Sequence, residues 1–253
     1  MLPQILFGHH TTQMPAIAGI IDHSRFQVAF APFDAVDPDY FDLIVPLRLD
    51  QMPSARAAVA RSSGKRRAVL PSAELVELID DKLRFNLWLV EQGFGAHVPE
   101  LLPDPPQTYP YIRKARHGTF GQGIRIVRGP EDADAPDPET FVQRIAEGRY
   151  EYVLHLLRVD GKIRFQLCYR YDMIEAMSVR GQGQEAATTE PAEPGPALAP
   201  CLAILDALDF EGTCCFNYKI VDGTMQLIEL NPRFGGSLVG EVTNYVAAHL
   251  DAL

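Results

Sequence analysis

Residues 212–237 read GTCCFNYKIVDGTMQLIELNPRFGGS, and the fold turns on how this stretch pairs with itself. Two runs rich in strand formers, residues 213–220 and 224–230, flank Asp222-Gly223, a dipeptide typical of tight hairpin turns. The second run ends in Ile-Glu-Leu-Asn-Pro-Arg. Side chains alternate along a strand, so Glu229 and Asn231 are expected on one face, with Ile228 and Leu230 on the other. Pro232 ends the ladder, and Arg233 and the glycines Gly235 and Gly236 follow. Two oxygen ligands two residues apart, with a cation just beyond, suit a hard metal that carries phosphate oxygens. A half-buried polar strand end is the plainer alternative.

Turn length decides whether Asn217 joins that face. A two-residue loop, Asp222-Gly223, pairs Asn217 with Ile228 and points it away from Glu229. A three-residue loop, with Gly223 left-handed in a bulge, pairs Asn217 with Leu227. Asn217, Leu227, Glu229 and Asn231 then share a face, and Leu227 could lie under a bound base. The three-residue loop is the expectation taken here.

Working outward, residues 73–92 carry apolar side chains at helical spacing, with Lys82 near the middle and Gly93 as the stop. Residues 111–114 and 124–128 form two strands joined by ARHGTFGQG, which holds Gly118, Gly121 and Gly123. This is no Walker loop, since no Gly-Lys-Ser/Thr follows. Glycines between antiparallel strands still free backbone N–H groups to fold over an anion, with Lys114 as a point charge at the strand's foot. Residues 138–148 are expected as a short helix, 152–157 as a strand, and 162–171 and 173–179 as further strands. Residues 181–200 form a low-complexity loop, 197–208 a helix and 239–253 a closing helix. The first 71 residues hold short apolar runs at 4–7, 26–30, 41–47 and 67–70, with a helix near 54–60, which suggests a small α/β unit with a short parallel sheet. His9-His10 more often ends a strand than forms a site.

The chain has 253 residues, of which 47% are hydrophobic and 22% charged, enough to bury a sizeable core. A net charge of −10 argues against a nucleic-acid-coating role. A small anionic ligand would need local cations, which cluster in sequence at Arg113, Lys114, Arg116 and Arg125. No apolar run is long enough to span a bilayer, and the opening MLPQILFGHH does not read as a signal peptide. Cys168, Cys201, Cys214 and Cys215 lack CxxC spacing and sit in apolar runs, so buried free thiols and a cytoplasmic location are expected.

Residues 212–237 resemble the C-terminal core of the ATP-grasp superfamily: an acidic residue, a short turn, then Glu-x-Asn-Pro-Arg. Asp81-Lys82, residues 109–127 (YPYIRKARHGTFGQGIRIV) and the strand at 150–157 come in that family's order. The resemblance implies an α/β fold in which a shortened N-terminal α/β domain, residues 1–71, precedes an ATP-grasp domain, residues 72–253. Its two α+β lobes, about 72–151 and 152–253, would clasp ATP between antiparallel sheets. The implied activity is an ATP- and Mg²⁺-dependent ligase joining a small carboxylate to a small amine through an acyl phosphate, with no nucleic-acid or membrane partner and room for a homodimer.

The roles implied by resemblance are these. Lys82, Lys114 and the flap glycines Gly118, Gly121 and Gly123 hold phosphates. Backbone groups of His155, Leu156 and Leu157 meet the adenine, or alternatively residues 142–145 do. Glu229 and Asn231, backed by Asn217, hold Mg²⁺. Arg233, with Lys114, neutralises the reacting carboxylate or acyl phosphate, and Arg180 is a candidate phosphate or substrate contact. One departure is Asn217, where the family usually has a carboxylate. A small-molecule kinase and a non-catalytic nucleotide-binding module are the rival readings.

Overall fold

The computed structural model describes residues 1–118, 121–181 and 185–253. Thr119 and Phe120 of the flap, and residues 182–184 of the low-complexity loop, lie outside the described residues. Among the described residues, three sheets organise the chain.

The first sheet holds β1 (Gln4–Phe7), β2 (Gln27–Phe30) and β3 (Leu43–Val45), with β1 central and parallel to both neighbours. Ile5, Leu6 and Phe7 are fully buried because this strand is covered on both faces. Leu6 packs toward α2 (Met52–Arg61), and Ile5 and Phe7 toward α1 (Gln13–Ile20) and the C-terminal segment. Residues 67–70 make no ladder; they touch β3 through Ile44 N–H donating to the Arg67 carbonyl at 2.7 Å.

The helix expected over residues 73–92 is two helices, α3 (Ala73–Asp80) and α4 (Lys82–Glu91). Asp81 leaves helical geometry at ψ 93° and caps α4 by accepting from Arg84 N–H, as Ser72 caps α3. The apolar spacing runs through the break because Ile79, Phe85 and Leu89 serve one core. Lys82 is therefore the first residue of a helix, not a mid-helix lysine.

The second sheet runs β5 (Ile124–Val127), β4 (Tyr111–Ala115), β6 (Thr140–Gln143), all antiparallel. The helix expected at 138–148 is thus corrected to a strand. Thr140, Phe141 and Val142 are strand formers, and pairing with β4 decides a short apolar run whose periodicity is ambiguous.

The third sheet has the order β11-β10-β7-β8-β9, antiparallel throughout. Its strands are β7 (Tyr150–Val159), β8 (Lys162–Asp172), β9 (Thr188–Pro191), β10 (Gly212–Val221) and β11 (Thr224–Asn231). Residues 173–179 form no strand, whereas β9 arises within the stretch read as a loop. Alternation sorts the two faces. Cys214, Phe216 and Tyr218 on β10, with Leu154 and Leu156 on β7, pack against α3, α4 and α5 (Leu198–Ala207). Cys215, Asn217 and Lys219, with Val153 and His155, look the other way. Helix α6 (Val242–Leu250) then seals the N-terminal sheet against β7 and β8. All four cysteines are free and buried. Among the described residues, no helix is long and apolar enough to cross a membrane.

Candidate active site

A cavity of about 450 Å³ lies between the second and third sheets. Ile112, Lys114, Ile124 and Ile126 line it from one side, and Glu151, Val153, His155, Cys215, Asn217 and Lys219 from the other. Cys215 and Lys219 lie four residues apart on β10, about 13 Å at strand rise, which gives the cleft a long axis with two distinct ends.

The hairpin register is neither of the two considered from sequence. The tip is the two-residue turn, with Asp222 at φ 48° and Gly223 at φ 76°, and Val221 opposite Thr224. The pairing then slips between Asn217 and Tyr218, so that Tyr218 faces Leu227 while Asn217 faces Glu229. Ile228 is the extra residue of this bulge. Asn217, Glu229 and Asn231 consequently share the cleft face, as expected, but for a different reason. Leu227 does not: it is 3% exposed in the core, and Ile228 lines the cleft instead.

All three arginines grouped as a cation cluster are already neutralised. Arg113 makes a bidentate pair with Asp104, Arg116 with Asp81, and Arg125 pairs with Asp134. Arg180 is likewise held by Glu151 at 2.9 Å and stacks over Tyr171. Lys82 Nζ donates to the Gly118 carbonyl at 2.7 Å and sits 3.4 Å from Glu229 Oε1, linking flap and hairpin. Lys114 differs. It is 3% exposed, with no hydrogen bond or ion pair from its side chain among the described residues. Burial pushes its pKa down to about 8, against the pull of Glu229. Of the flap glycines, Gly121 lines the cleft, and Gly123 at φ 69° passes so close to β4 that a Cβ would meet the Ala115 Cβ at 2.7 Å.

The backbone of residues 155–157 is already used. His155, Leu156 and Leu157 pair with β10 on one side and β8 on the other, and the two leucines are buried in separate cores. They have no free backbone edge to offer a base, so the contact expected at 155–157 is not available there; in the alternative stretch, 142–145, Val142 and Gln143 are themselves paired with β4. Ile145 and Ala146, just after β6, line the cleft, and no hydrogen bond engages their backbone among the described residues. Lys219, which sequence reading passed over, lines the same region and donates to the Ala176 carbonyl at 3.0 Å. Its signal was the alternation Cys215-x-Asn217-x-Lys219.

At the other end stand Arg233, Ser237 and the His155 side chain. Arg233 spends one N–H on the Phe234 carbonyl at 2.9 Å and has no carboxylate partner among the described residues. His155 Nε2 lies 2.8 Å from Ser237 Oγ. Burial, then the charges of Arg233 and Arg180, push the imidazole pKa down to about 3, so it is neutral at physiological pH.

The donor chemistry of the hairpin face fits Mg²⁺: one carboxylate, Glu229, and the amide oxygens of Asn217 and Asn231. Asn231 Nδ2 donates to Glu229 Oε2 at 3.0 Å, which turns its own oxygen outward as an acceptor. No group of three His, Cys, Asp or Glu gathers among the described residues. A cation here would take most of its negative oxygens from phosphate.

No family model matches the chain, and no curated protein matches it. Solved structures do. The chain is similar to N5-carboxyaminoimidazole synthetase from Staphylococcus aureus complexed with ADP (TM-score 0.68, 16% identity, covering 98% of this chain and 77% of that one). It is similar to biotin carboxylase from Campylobacter jejuni (TM-score 0.67, 12% identity, 100% and 72%). It is also similar to D-alanine–D-alanine ligase from Bacillus anthracis complexed with ATP (TM-score 0.63, 13% identity, 100% and 97%). These are ATP-grasp ligases, and the three-sheet chain described above has the ATP-grasp fold.

Proposed function

We propose that the chain is an ATP- and Mg²⁺-dependent ligase that joins a carboxylate to an amine through an acyl phosphate. One observation carries this reading: a single cleft brings together the backbone of Ile145 and Ala146 and a buried Lys114, all without hydrogen-bond partners among the described residues, a hard-oxygen face, and an Arg233 with no carboxylate partner among those residues. Phosphoryl transfer asks for little covalent work from protein; it needs charges fixed around the phosphates and a nucleophile held in line.

In this reading the base lies against Ile112 and Ile126, with its polar edge on the 145–146 backbone. Lys114 neutralises phosphate oxygens from within the first lobe. Glu229, Asn231 and Asn217 hold Mg²⁺, which supplies charge neutralisation on the phosphates. Arg233 holds the reacting carboxylate beside the γ-phosphate. Lys82 keeps the flap carbonyl of Gly118 tied to Glu229 and so ties the flap to the hairpin. Arg180, with Glu151, shapes the wall and is a candidate substrate contact.

A screen for ADP release over amino acids and small amines with Mg²⁺, followed by mass analysis of the products, tests this. ADP that forms only when acid and amine are both present, with an amide as product, supports the ligase. A phosphorylated alcohol would make it a kinase. The single carboxylate of the hairpin face, with Asn217 opposite Glu229, is what favours a second reading, a nucleotide-binding module; ATP binding with no ADP formed over the whole panel would establish that instead.

A further inference from the structure

The side chains of His155 and Ser237 have no part in the reading above, yet they line the cleft with Arg233. The His155 side chain is fully buried, and its Nδ1 has no hydrogen-bond partner among the described residues. The ring fits there only because residue 235 is glycine: a Cβ at Gly235 would sit 2.4 Å from His155 Cε1 and 2.9 Å from Nδ1. A buried orphan acceptor costs less than a buried orphan N–H. The favoured tautomer therefore leaves the Nδ1 lone pair bare and places the proton on Nε2, which donates to Ser237 Oγ at 2.8 Å. With that oxygen already accepting, the Ser237 hydroxyl proton is left to be donated into the cleft. Arg233 stands two residues before Gly235 and lines the same end of the cleft with no carboxylate partner among the described residues, so this end carries an unneutralised positive charge.

We infer that Ser237, oriented by His155, is a hydrogen-bond donor to the acyl oxygen of the carboxylate substrate, acting beside Arg233. The inference rests on the ligase reading. In the amide-forming step the amine attacks the acyl phosphate, a C–N bond forms, and the C=O electron pair moves onto the acyl oxygen. Collapse then expels phosphate, which takes the proton that the amine loses. The Ser237 donor strengthens as charge builds on that oxygen, which is how such donors accelerate acyl transfer. Ser237 would touch the reacting group; His155 is a positioning residue, and staying neutral suits it to that task.

The test uses ATP, Mg²⁺, the amino acids as carboxylates and hydroxylamine as nucleophile, with hydroxamate as readout, alongside calorimetric titration of ATP. Ser237→Ala should lower kcat for hydroxamate by roughly a hundredfold or more, with ATP affinity held within about twofold. Ser237→Thr, which keeps the hydroxyl, should restore most of the rate, and His155→Phe should lower it by a smaller factor. A Ser237→Ala rate within about threefold of the unmodified protein would overturn the donor role and leave the ligase reading intact. Equal loss of ATP affinity and rate would overturn it too, by making the pair structural. Should the unmodified protein form no hydroxamate with any of these acids, the ligase reading itself fails, and the inference with it.

Discussion

Two hairpins face each other across the cleft, and they are built on opposite principles. The β10–β11 hairpin is sewn in: β10 pairs on both edges, its turn is two residues long, and one bulge aims Asn217 at Glu229. Its core face is filled by Phe216, Tyr218 and Leu230. The β4–β5 hairpin ends in a glycine-bearing connection and carries a largely buried lysine, Lys114, whose side chain has no hydrogen-bond or ion-pair partner among the described residues. The first arrangement fixes oxygens in place; the second holds a buried charge that, in the reading proposed above, an incoming phosphate would neutralise. A site for phosphate needs both, a rigid frame for ligands and an unsatisfied cation.

The comparison breaks first at Glu229. Glu229→Gln removes the only carboxylate of the rigid face and the ion-pair partner of Lys82. Loss of outer-shell partners alone costs metal sites 10- to 100-fold, so ADP formation should fall by more than about a hundredfold. Mg²⁺ titration of turnover checks this, and a variant with normal Mg²⁺ dependence would remove the hairpin from the metal site.

Lys114 sharpens the contrast in two ways. Lys114→Ala should weaken ATP binding by roughly 1.5–3 kcal/mol, the scale of a charge-assisted hydrogen bond. Its pKa of about 8 lies below the 10.5 of an unperturbed lysine. The unfolded chain therefore holds more protons between those values, and stability should rise with pH across that window. At neutral pH the gap is a cost of about 3 kcal/mol, so Lys114→Met should raise the melting temperature while weakening nucleotide binding. Lys114 should also take up a proton when ATP binds between pH 8 and 9, because phosphate beside it restores its charged form. Calorimetry in buffers of different ionisation enthalpy reads that uptake.

Gly123→Ala probes the flap alone. The residue sits at φ 69° against the Ala115 Cβ, so strain of about 1–2 kcal/mol should fall on the flap. Nucleotide affinity should drop several-fold, whereas an alanine at the hairpin turn should leave it unchanged.

Asn217→Asp carries the smallest effect. It adds a charge opposite Glu229 on the cleft face, where attraction to a divalent cation is largely offset by repulsion from that carboxylate. The Mg²⁺ concentration for half-maximal nucleotide binding should fall a few-fold. A lower melting temperature with unchanged Mg²⁺ dependence would place residue 217 outside the metal shell.

The hairpin and the glycine flap were legible because each rests on local chemistry (a turn dipeptide, glycines between strand formers, alternation), whereas the clasp of two antiparallel sheets came only from the resemblance to the ATP-grasp superfamily. The sequence could not carry the bulge at Ile228, since both faces of β11 mix polar and apolar residues and only tertiary packing chooses between them. For the same reason Leu227 was placed in the cleft although it belongs to the core. The helix expected at 138–148 failed because Thr140–Gln143 is too short for its period to speak, and β4 supplies the partner that makes it a strand. Lys82 was legible as a residue but not as a helix start, because the apolar spacing continues through Asp81. The His155–Ser237 pair joins residues 82 positions apart, which no local pattern announces.

The central claim is that the carboxylate is activated by phosphorylation. It is tested most directly by supplying the acid found in the ADP screen with both carboxylate oxygens as ¹⁸O, together with ATP, Mg²⁺ and the amine. An acyl phosphate transfers one labelled oxygen to phosphate when the amine displaces it, so inorganic phosphate should carry one ¹⁸O for each amide formed. Phosphate without label, alongside labelled product, would contradict the account.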